Sequence, residues 1–83
     1  MNLKEIEEGI MEIFRNSLEE LKGKEIDLNK KQDEFESWDS FSHMELASKC
    51  EEKFNITLEM DEIVEIDTPQ KFVELIQKKI AKK

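Results

Sequence analysis

Three side chains that could take part in chemistry lie close together near the middle of the chain. Asp39 offers a carboxylate, Ser40 a hydroxyl group and His43 an imidazole. Asp39 is a good helix N-cap, so the positions after it read as the first turn of a helix. Because free amides and the positive end of the dipole favour anions at a helix start, Ser40 is a suitable place to carry a phosphodiester.

A hydrolytic use of the same residues is the weaker interpretation. His43 would lie one helical turn from Ser40 and could activate its hydroxyl group as a nucleophile. In a catalytic triad, however, the carboxylate lies behind the imidazole, whereas Asp39 is next to the serine. No glycine-rich oxyanion turn accompanies the segment. We therefore expect no enzyme here, and we expect His43 to be an exposed residue at an edge that faces partner proteins.

The composition favours one small helical domain over residues 1–83. Of the 83 residues, 41% are charged, and there are only two glycines and one proline. Helices tolerate many surface charges, whereas folds built from strands and turns need more glycine and proline. A chain this short has little interior left over for a deep, enclosed active site.

The net charge and the cysteine content argue against several classes of function. The formal net charge of −8 argues against a nucleic-acid binder and suits docking onto basic patches of partner proteins, although it could equally serve solubility. No stretch has the apolar length of a membrane span, and the charged N-terminus is not typical of a signal peptide. Cys50 is the single cysteine and falls on an apolar row, so we expect a buried thiol, no cysteine metal cluster and a reduced, cytoplasmic setting. We also expect a monomer without a metal site.

Apolar residues at helical spacing predict the main helices. The first follows an apolar stripe over residues 3–21, with Gly23 as its terminator. The second is expected over about residues 40–54, and Asn55 is an acceptable stop. The last helix begins at Pro69, which is favourable at a first helical position.

The segments between these helices complete the predicted fold. Residues 56–66 have room for only a turn or two of helix, and Thr68 is the expected N-cap of the last helix. Residues 22–39 form an unusually long connection, which we expect to be pinned across the helices. Its isolated apolar members are Ile26, Leu28 and Phe35. We predict an all-α fold: a small bundle of three main helices plus one short helix, with a long loop between helices one and two.

The order of these residues resembles the acyl carrier protein family. The family's Asp-Ser-Leu signature, at the start of the second helix after a long first loop, is matched by Asp39-Ser40-Phe41. The following Met44-Glu45-Leu46 is similar to the family's Val-Glu-Leu. The match covers essentially the whole chain, and the helix pattern around the short signature makes it specific.

The resemblance implies a carrier that catalyses nothing itself. A phosphopantetheinyl transferase would join 4'-phosphopantetheine to Ser40, with Asp39 helping to position metal during the transfer. The arm would hold an acyl or aminoacyl group as a thioester for acyl-activating or acyl-transferring enzymes. The recognition surface beside the arm would consist of Phe41, Met44 and Glu45. An apolar cargo pocket could be lined by Leu46, Leu58, Ile63 and Ile66, although core packing is their default role.

Departures from the family pattern point to a specialised carrier. Ser37 stands where many members have glycine, and Phe41 replaces the usual leucine. Trp38-Asp39-Ser40 followed by His43 resembles stand-alone carriers in secondary-metabolite or surface-glycan gene sets. We expect Trp38 itself to be a packing anchor. Lys49 and Lys53 make the second helix less acidic than in carriers of fatty acid synthesis. The main alternative is an acidic helical interaction module that is never modified.

Overall fold

The regular structure is helical in a computed structural model that describes residues 2–81. The helices are α1 (Leu3–Ser17), α2 (Ser40–Phe54), α3 (Met60–Val64) and α4 (Pro69–Ala81). Single 3-10 turns at Glu19–Leu21 and Gln32–Glu34 lie in the connection between α1 and α2, called the first loop below. No strand occurs within residues 2–81, so the predicted all-α fold of three main helices and one short helix is confirmed.

α1 is an amphipathic helix on which the bundle is built. Asn2 caps its N-terminus, where the side-chain Oδ1 accepts a hydrogen bond from the Glu5 amide at 2.8 Å. α1 packs against both α2 and α4. Its buried apolar residues are Ile6, Ile10, Ile13 and Phe14. The predicted apolar stripe therefore faces the core of the bundle.

The C-terminal end of α1 differs from the prediction. Leu18 has extended backbone angles, φ −107° and ψ 111°, which stop the helix at Ser17. The 3-10 turn that follows brings Leu21 back into the core, because residues three apart lie on the same side of such a turn. The predicted continuation of helix to Leu21 was therefore wrong, although both leucines are buried. Gly23, with φ 70°, lies in the left-handed region after the turn.

A close approach of α1 and α2 depends on Gly9. A Cβ atom at this position would lie 2.7 Å from Cζ of Phe54 and 3.1 Å from Cε of Lys53. Carbon atoms do not come this close without displacing their neighbours. The absence of a side chain at Gly9 therefore lets α1 pack against the C-terminal end of α2.

Backbone hydrogen bonds pin the first loop to the other end of the chain. The Gln70 amide, in the first turn of α4, donates to the Leu28 carbonyl at 2.8 Å. The Gln32 amide donates to the Asp67 carbonyl at 2.7 Å. The loop is thus held against the α3–α4 junction, as the length of the segment and its apolar residues led us to expect.

The second half of the chain follows the predicted pattern of caps. α2 ends at Asn55, which adopts the left-handed conformation with φ 54°. The hydroxyl group of Thr68 accepts from the Lys71 amide at 3.2 Å, so α4 begins at Pro69 behind a side-chain cap. None of the helices described has both the length and the apolar character needed to cross a membrane.

Candidate functional site

Ser40 is exposed at the first residue of α2, directly after the first loop. Asp39 fixes this helix start: its Oδ1 accepts from the Ser42 amide at 2.9 Å, and its carbonyl accepts from the His43 amide at 2.8 Å. The predicted N-cap role of Asp39 is confirmed. The Ser40 hydroxyl group therefore lies at the positive end of a helix of 15 residues, where an attached phosphate is electrostatically favoured.

The Asp39 carboxylate is held in its charged form. Hydrogen bonds from Ser42, the backbone amide foremost, lower the pKa of Asp39 below its ordinary value. The residue is exposed beside Ser40. At neutral pH the site therefore presents an ionised carboxylate next to the serine hydroxyl group.

His43 is buried, so the prediction that it is exposed was wrong. Only 8% of its surface is accessible. Its Nδ1 accepts a hydrogen bond from Nε1 of Trp38 at 3.0 Å, and its Nε2 lies 2.7 Å from the carbonyl oxygen of Ile63. The buried stripe of α2 passes through His43, Leu46, Ala47, Cys50 and Phe54. A polar ring can occupy that stripe because both ring nitrogens have partners.

Trp38 anchors the end of the first loop, as expected. It is 4% exposed, and its ring meets the His43 ring and three phenylalanine rings. The Phe14 ring is 5.1 Å away and the Phe35 ring 5.3 Å away, both edge-on, while the Phe72 ring stacks at 6.4 Å. Contacts of this kind contribute about 0.5–1.5 kcal/mol beyond area burial. The backbone just before Ser40 is thus tied to α1 and α4.

Glu20 is a positioning residue that the sequence did not reveal. Its carboxylate accepts from the Ser37 hydroxyl group at 2.6 Å, from the Ser37 amide at 2.8 Å and from the Glu36 amide at 2.7 Å. Partial burial alone would raise the pKa of Glu20, but these hydrogen bonds, with help from the charge of Lys30, lower it overall. The partners are 16 and 17 residues away in sequence. No local pattern could have linked them.

Exposed apolar side chains flank the exposed serine. Phe41 is 78% exposed and Met44 is 42% exposed, one turn apart on α2. Glu45 follows Met44 and forms an ion pair with Lys49 at 3.4 Å. The sequence predicted Phe41, Met44 and Glu45 as a recognition surface. Two further exposed apolar residues, Met60 and Val64 on α3, were not part of that predicted surface.

The four residues named for a cargo pocket are all buried in one hydrophobic core. They are Leu46, Leu58, Ile63 and Ile66. Ile66 also borders a cleft of about 340 Å³ between α3 and α4, among charged residues of both helices. In the described structure these side chains pack against one another and their neighbours, which is the default role stated for them.

Cys50 is buried on the core face of α2, as expected. Burial foremost, with the negative charge of Glu51, raises the pKa of the thiol to about 12. Because the thiolate is the reactive form, the thiol is inert at neutral pH. The chain's single cysteine therefore contributes packing and no chemistry.

Comparison with protein families decides how the site at Ser40 is to be understood. The family model described as "Phosphopantetheine attachment site" matches residues 8–76, which include all of α2 and α3. The chain belongs to this family. It is a carrier domain of the kind that holds 4'-phosphopantetheine as a prosthetic group and works with a phosphopantetheinyl transferase and biosynthetic enzymes. At the family level such domains are non-catalytic. No curated protein and no solved structure matched the chain.

The residues of the carrier domain fit the attachment of this group. An exposed hydroxyl group is needed for the phosphodiester, and Ser40 offers one at a helix N-terminus. The adjoining Asp39 has its charge fixed by hydrogen bonds. The buried Cys50 leaves the surface of the described residues without a competing thiol. The described residues thus include a suitable acceptor for the group.

Proposed function

We propose that Ser40 carries the 4'-phosphopantetheine arm and that the protein presents acyl or aminoacyl groups to separate enzymes. The observation that carries this proposal is the exposure of Ser40 at the first residue of α2, inside the region matched by the family model. The arm would supply the terminal thiol that holds the cargo as a thioester. The protein would supply the position, the charge and the docking surface around it.

The other serines are poorer candidates for the attachment. The Ser17 hydroxyl group accepts from Nζ of Lys49, and that of Ser37 donates to Glu20. Ser42 is half-buried, and Ser48 is exposed in the interior of α2, where no free amides face it. Ser40 alone among the five combines exposure with the start of a helix. We therefore assign the attachment to Ser40 and use Ser48 as its matched control.

Asp39 would serve the transfer reaction in two ways. As the N-cap it sets the backbone of α2 so that the Ser40 hydroxyl group is presented at the helix start. As an exposed carboxylate with a lowered pKa it offers a charged oxygen beside that hydroxyl group. Such a carboxylate is a suitable ligand for a divalent cation brought by the transferase. We assign it the role of helping to position that metal.

Partner enzymes would recognise the surface formed by Phe41, Met44 and Glu45. The two apolar side chains are exposed on the turn that follows Ser40, where an enzyme that reaches the arm would contact them. The ion pair of Glu45 with Lys49 offsets part of the acidity of α2, and Lys53 pairs with Glu12 of α1 at 3.8 Å. A surface that is partly apolar and partly neutralised fits a specialised carrier rather than one for fatty acid synthesis.

Cargo would enter the apolar space between α2, α3 and the first residues after α2. The side chains that would separate to admit it are Leu46, Leu58, Ile63 and Ile66. Burial of an acyl chain is favourable by roughly 0.8 kcal/mol per CH₂ group, which offsets the cost of parting them. An acyl-loaded sample would test this pocket, because loading should change the chemical shifts of these four side chains.

Intact mass after incubation with coenzyme A and a broad-specificity phosphopantetheinyl transferase tests the proposal. We expect the wild-type protein and Ser48→Ala to gain one phosphopantetheine group, and Ser40→Ala to gain none. Circular dichroism should show that all three are equally helical. The loaded protein should also gain one thiol that reacts with a thiol reagent without denaturant, since Cys50 is buried.

Two results would overturn the assignment. Loading of Ser40→Ala at the wild-type rate would move the attachment to another residue. Failure of several transferases to load the folded wild-type protein would favour the alternative, an acidic helical module that binds partners without modification.

A further inference from the structure

The hydrogen bonds of His43 define its protonation state. The indole nitrogen of Trp38 can only donate, so Nδ1 of His43 must accept. Ile63 offers a carbonyl oxygen, which can only accept, at 2.7 Å from Nε2. The neutral ring with its proton on Nε2 therefore satisfies both partners, and the other neutral tautomer satisfies neither. The partners of the two ring nitrogens therefore determine the tautomer.

This ring joins three elements around Ser40. Trp38 is the end of the first loop, two residues before Ser40, and His43 lies in the first turn of α2, three residues after it. Ile63 belongs to α3. One buried imidazole thus connects both sides of the serine to one another and to the short helix beside it.

We propose that His43 is a positioning residue for Ser40: in its neutral form it locks the first loop, α2 and α3 together, and the gain of a second proton releases Trp38 and slows attachment of the arm. The positional part stands on the hydrogen bonds alone, whereas the effect on attachment rests on the function proposed above. A protonated imidazole carries N–H groups on both nitrogens. Its Nδ1 would then face the indole N–H as a second donor, at a residue of which only 8% is accessible to solvent.

The hydrogen-bond partners of the two ring nitrogens are Trp38 and Ile63, and neither partner is a carboxylate. Among the acidic groups on the elements around the ring are Asp39 before α2, Glu62 on α3 and Asp67 after α3. Their partners are the Ser42 amide, Lys79 at 2.8 Å and Lys71 at 2.8 Å, respectively. From the first loop, Lys31 and Asp33 border the cleft beside Trp38. α4 presents the uncharged Phe72 ring, 5.9 Å from the imidazole.

The first test uses the wild-type protein alone. The chain has one histidine and one tryptophan, so each gives a single unambiguous signal. We expect ¹⁵N shifts of the imidazole to show the Nε2–H tautomer near pH 8. The indole N–H should be protected from exchange at that pH and lose its protection when acidification adds a second proton to the ring. An Nδ1–H tautomer, or an indole N–H whose exchange ignores the protonation of His43, would overturn the proposal.

The second test compares His43 with a side chain that does not titrate. His43→Gln keeps an acceptor and a donor on neighbouring atoms without a titrating proton. Loading rates of the wild type and of His43→Gln are measured with the same transferase at about pH 8 and at a lower pH at which the ¹⁵N shifts show the second proton on the ring. The ratio of the two rates at each pH cancels the transferase's own response. We expect this ratio to fall roughly threefold to tenfold on acidification, the effect of one hydrogen bond.

A third variant and a control keep the outcomes separate. Trp38→Phe removes the indole donor. The ratio of its loading rate to that of His43→Gln should therefore lose most of its pH dependence. Ser48→Ala changes an exposed residue of the same helix. The ratio of its loading rate to that of His43→Gln should equal the wild-type ratio at both pH values. A ratio that is the same at both pH values contradicts the positioning role. If the wild type is not loaded at all, the function proposed for Ser40 fails, while the imidazole ¹⁵N shifts still decide the tautomer and the exchange of the indole N–H still tests the contact between Trp38 and His43.

Discussion

The carboxylate of Glu20 accepts a hydrogen bond of 2.6 Å from the hydroxyl group of Ser37, across 17 residues of the first loop. Together with the amides of Ser37 and Glu36, this contact closes the loop onto itself before the chain reaches Trp38 and Ser40. Glu20, in the 3-10 turn that follows α1, therefore helps to set where α2 begins. The site at Ser40 depends on residues well outside its own helix.

Replacement of Glu20 by alanine should destabilise the protein. The change leaves one hydroxyl group and two amides without their acceptor, two of these bonds being partly buried. Hydrogen bonds to a charged group at a partly exposed position suggest a loss of about 1–2 kcal/mol in the free energy of unfolding, measured by urea denaturation. Glu19→Ala is the matched control, since Glu19 is exposed beside it. Equal stability of the two variants would show that Glu20 does not hold the loop.

Acid should weaken the same contact. The hydrogen bonds of Glu20 lower its pKa from the ordinary value of 4.5, so the folded protein binds a proton there less readily than the unfolded chain does. The stabilisation is fully present above pH 4.5 and is lost as the pH falls through the lowered folded-state value. Unfolding free energies measured by urea from about pH 7 down to about pH 3 should therefore decrease less steeply for Glu20→Ala than for the wild type. Parallel curves would contradict the role of the charge.

The two roles assigned to Asp39 can be separated by two substitutions. Asparagine is a good N-cap but carries no charge, whereas alanine removes both the cap and the charge. We expect Asp39→Asn to keep nearly the wild-type urea midpoint and Asp39→Ala to lower it, because only the latter leaves the Ser42 amide without its acceptor. Loading of Ser40 should be slower than in the wild type for both. Wild-type loading of Asp39→Asn would show that the carboxylate is needed only as a cap.

Alanine at Gly9 should destabilise the protein although alanine is the better helix former. The propensity gain of about 1 kcal/mol is outweighed by the contact of the new Cβ with Phe54, for which overpacking typically costs about 1–3 kcal/mol. Thermal unfolding followed by circular dichroism measures the net effect. Phe54→Leu removes the ring atom that the methyl group would meet. The double variant should therefore lose less stability than the sum of the two single variants, and simple additivity would contradict the close approach.

The thiol of Cys50 should not react with a thiol reagent in the native protein. Its pKa is raised to about 12 by burial, so almost no thiolate forms at pH 8. Reaction should become complete in concentrated urea, where the side chain is exposed. Rapid reaction of the unmodified protein without denaturant would show that the α2 face of the core opens readily, and would make the thiol count a poor measure of loading.

Local patterns predicted those features that depend on neighbours in sequence. Asp39, Thr68 and Pro69 mark helix starts through interactions within one turn, and all three lie where their residue types indicated. The end of α1 was misplaced because an apolar stripe does not distinguish an α-helix from a following 3-10 turn that buries the same side. Boundaries that depend on one backbone angle, here that of Leu18, carry no signal in residue type.

The sequence by itself determined that α2 begins at Ser40, that apolar stripes bury one side of each main helix and that the only thiol is inside. Those properties follow from periodicity and capping, which act over three or four residues. Only the tertiary structure decided that His43 faces inward, that Glu20 holds Ser37 and that Gly9 meets Phe54. A polar ring or an acid is stable in such a place only when a distant residue supplies its partner, and the fold alone brings those partners together.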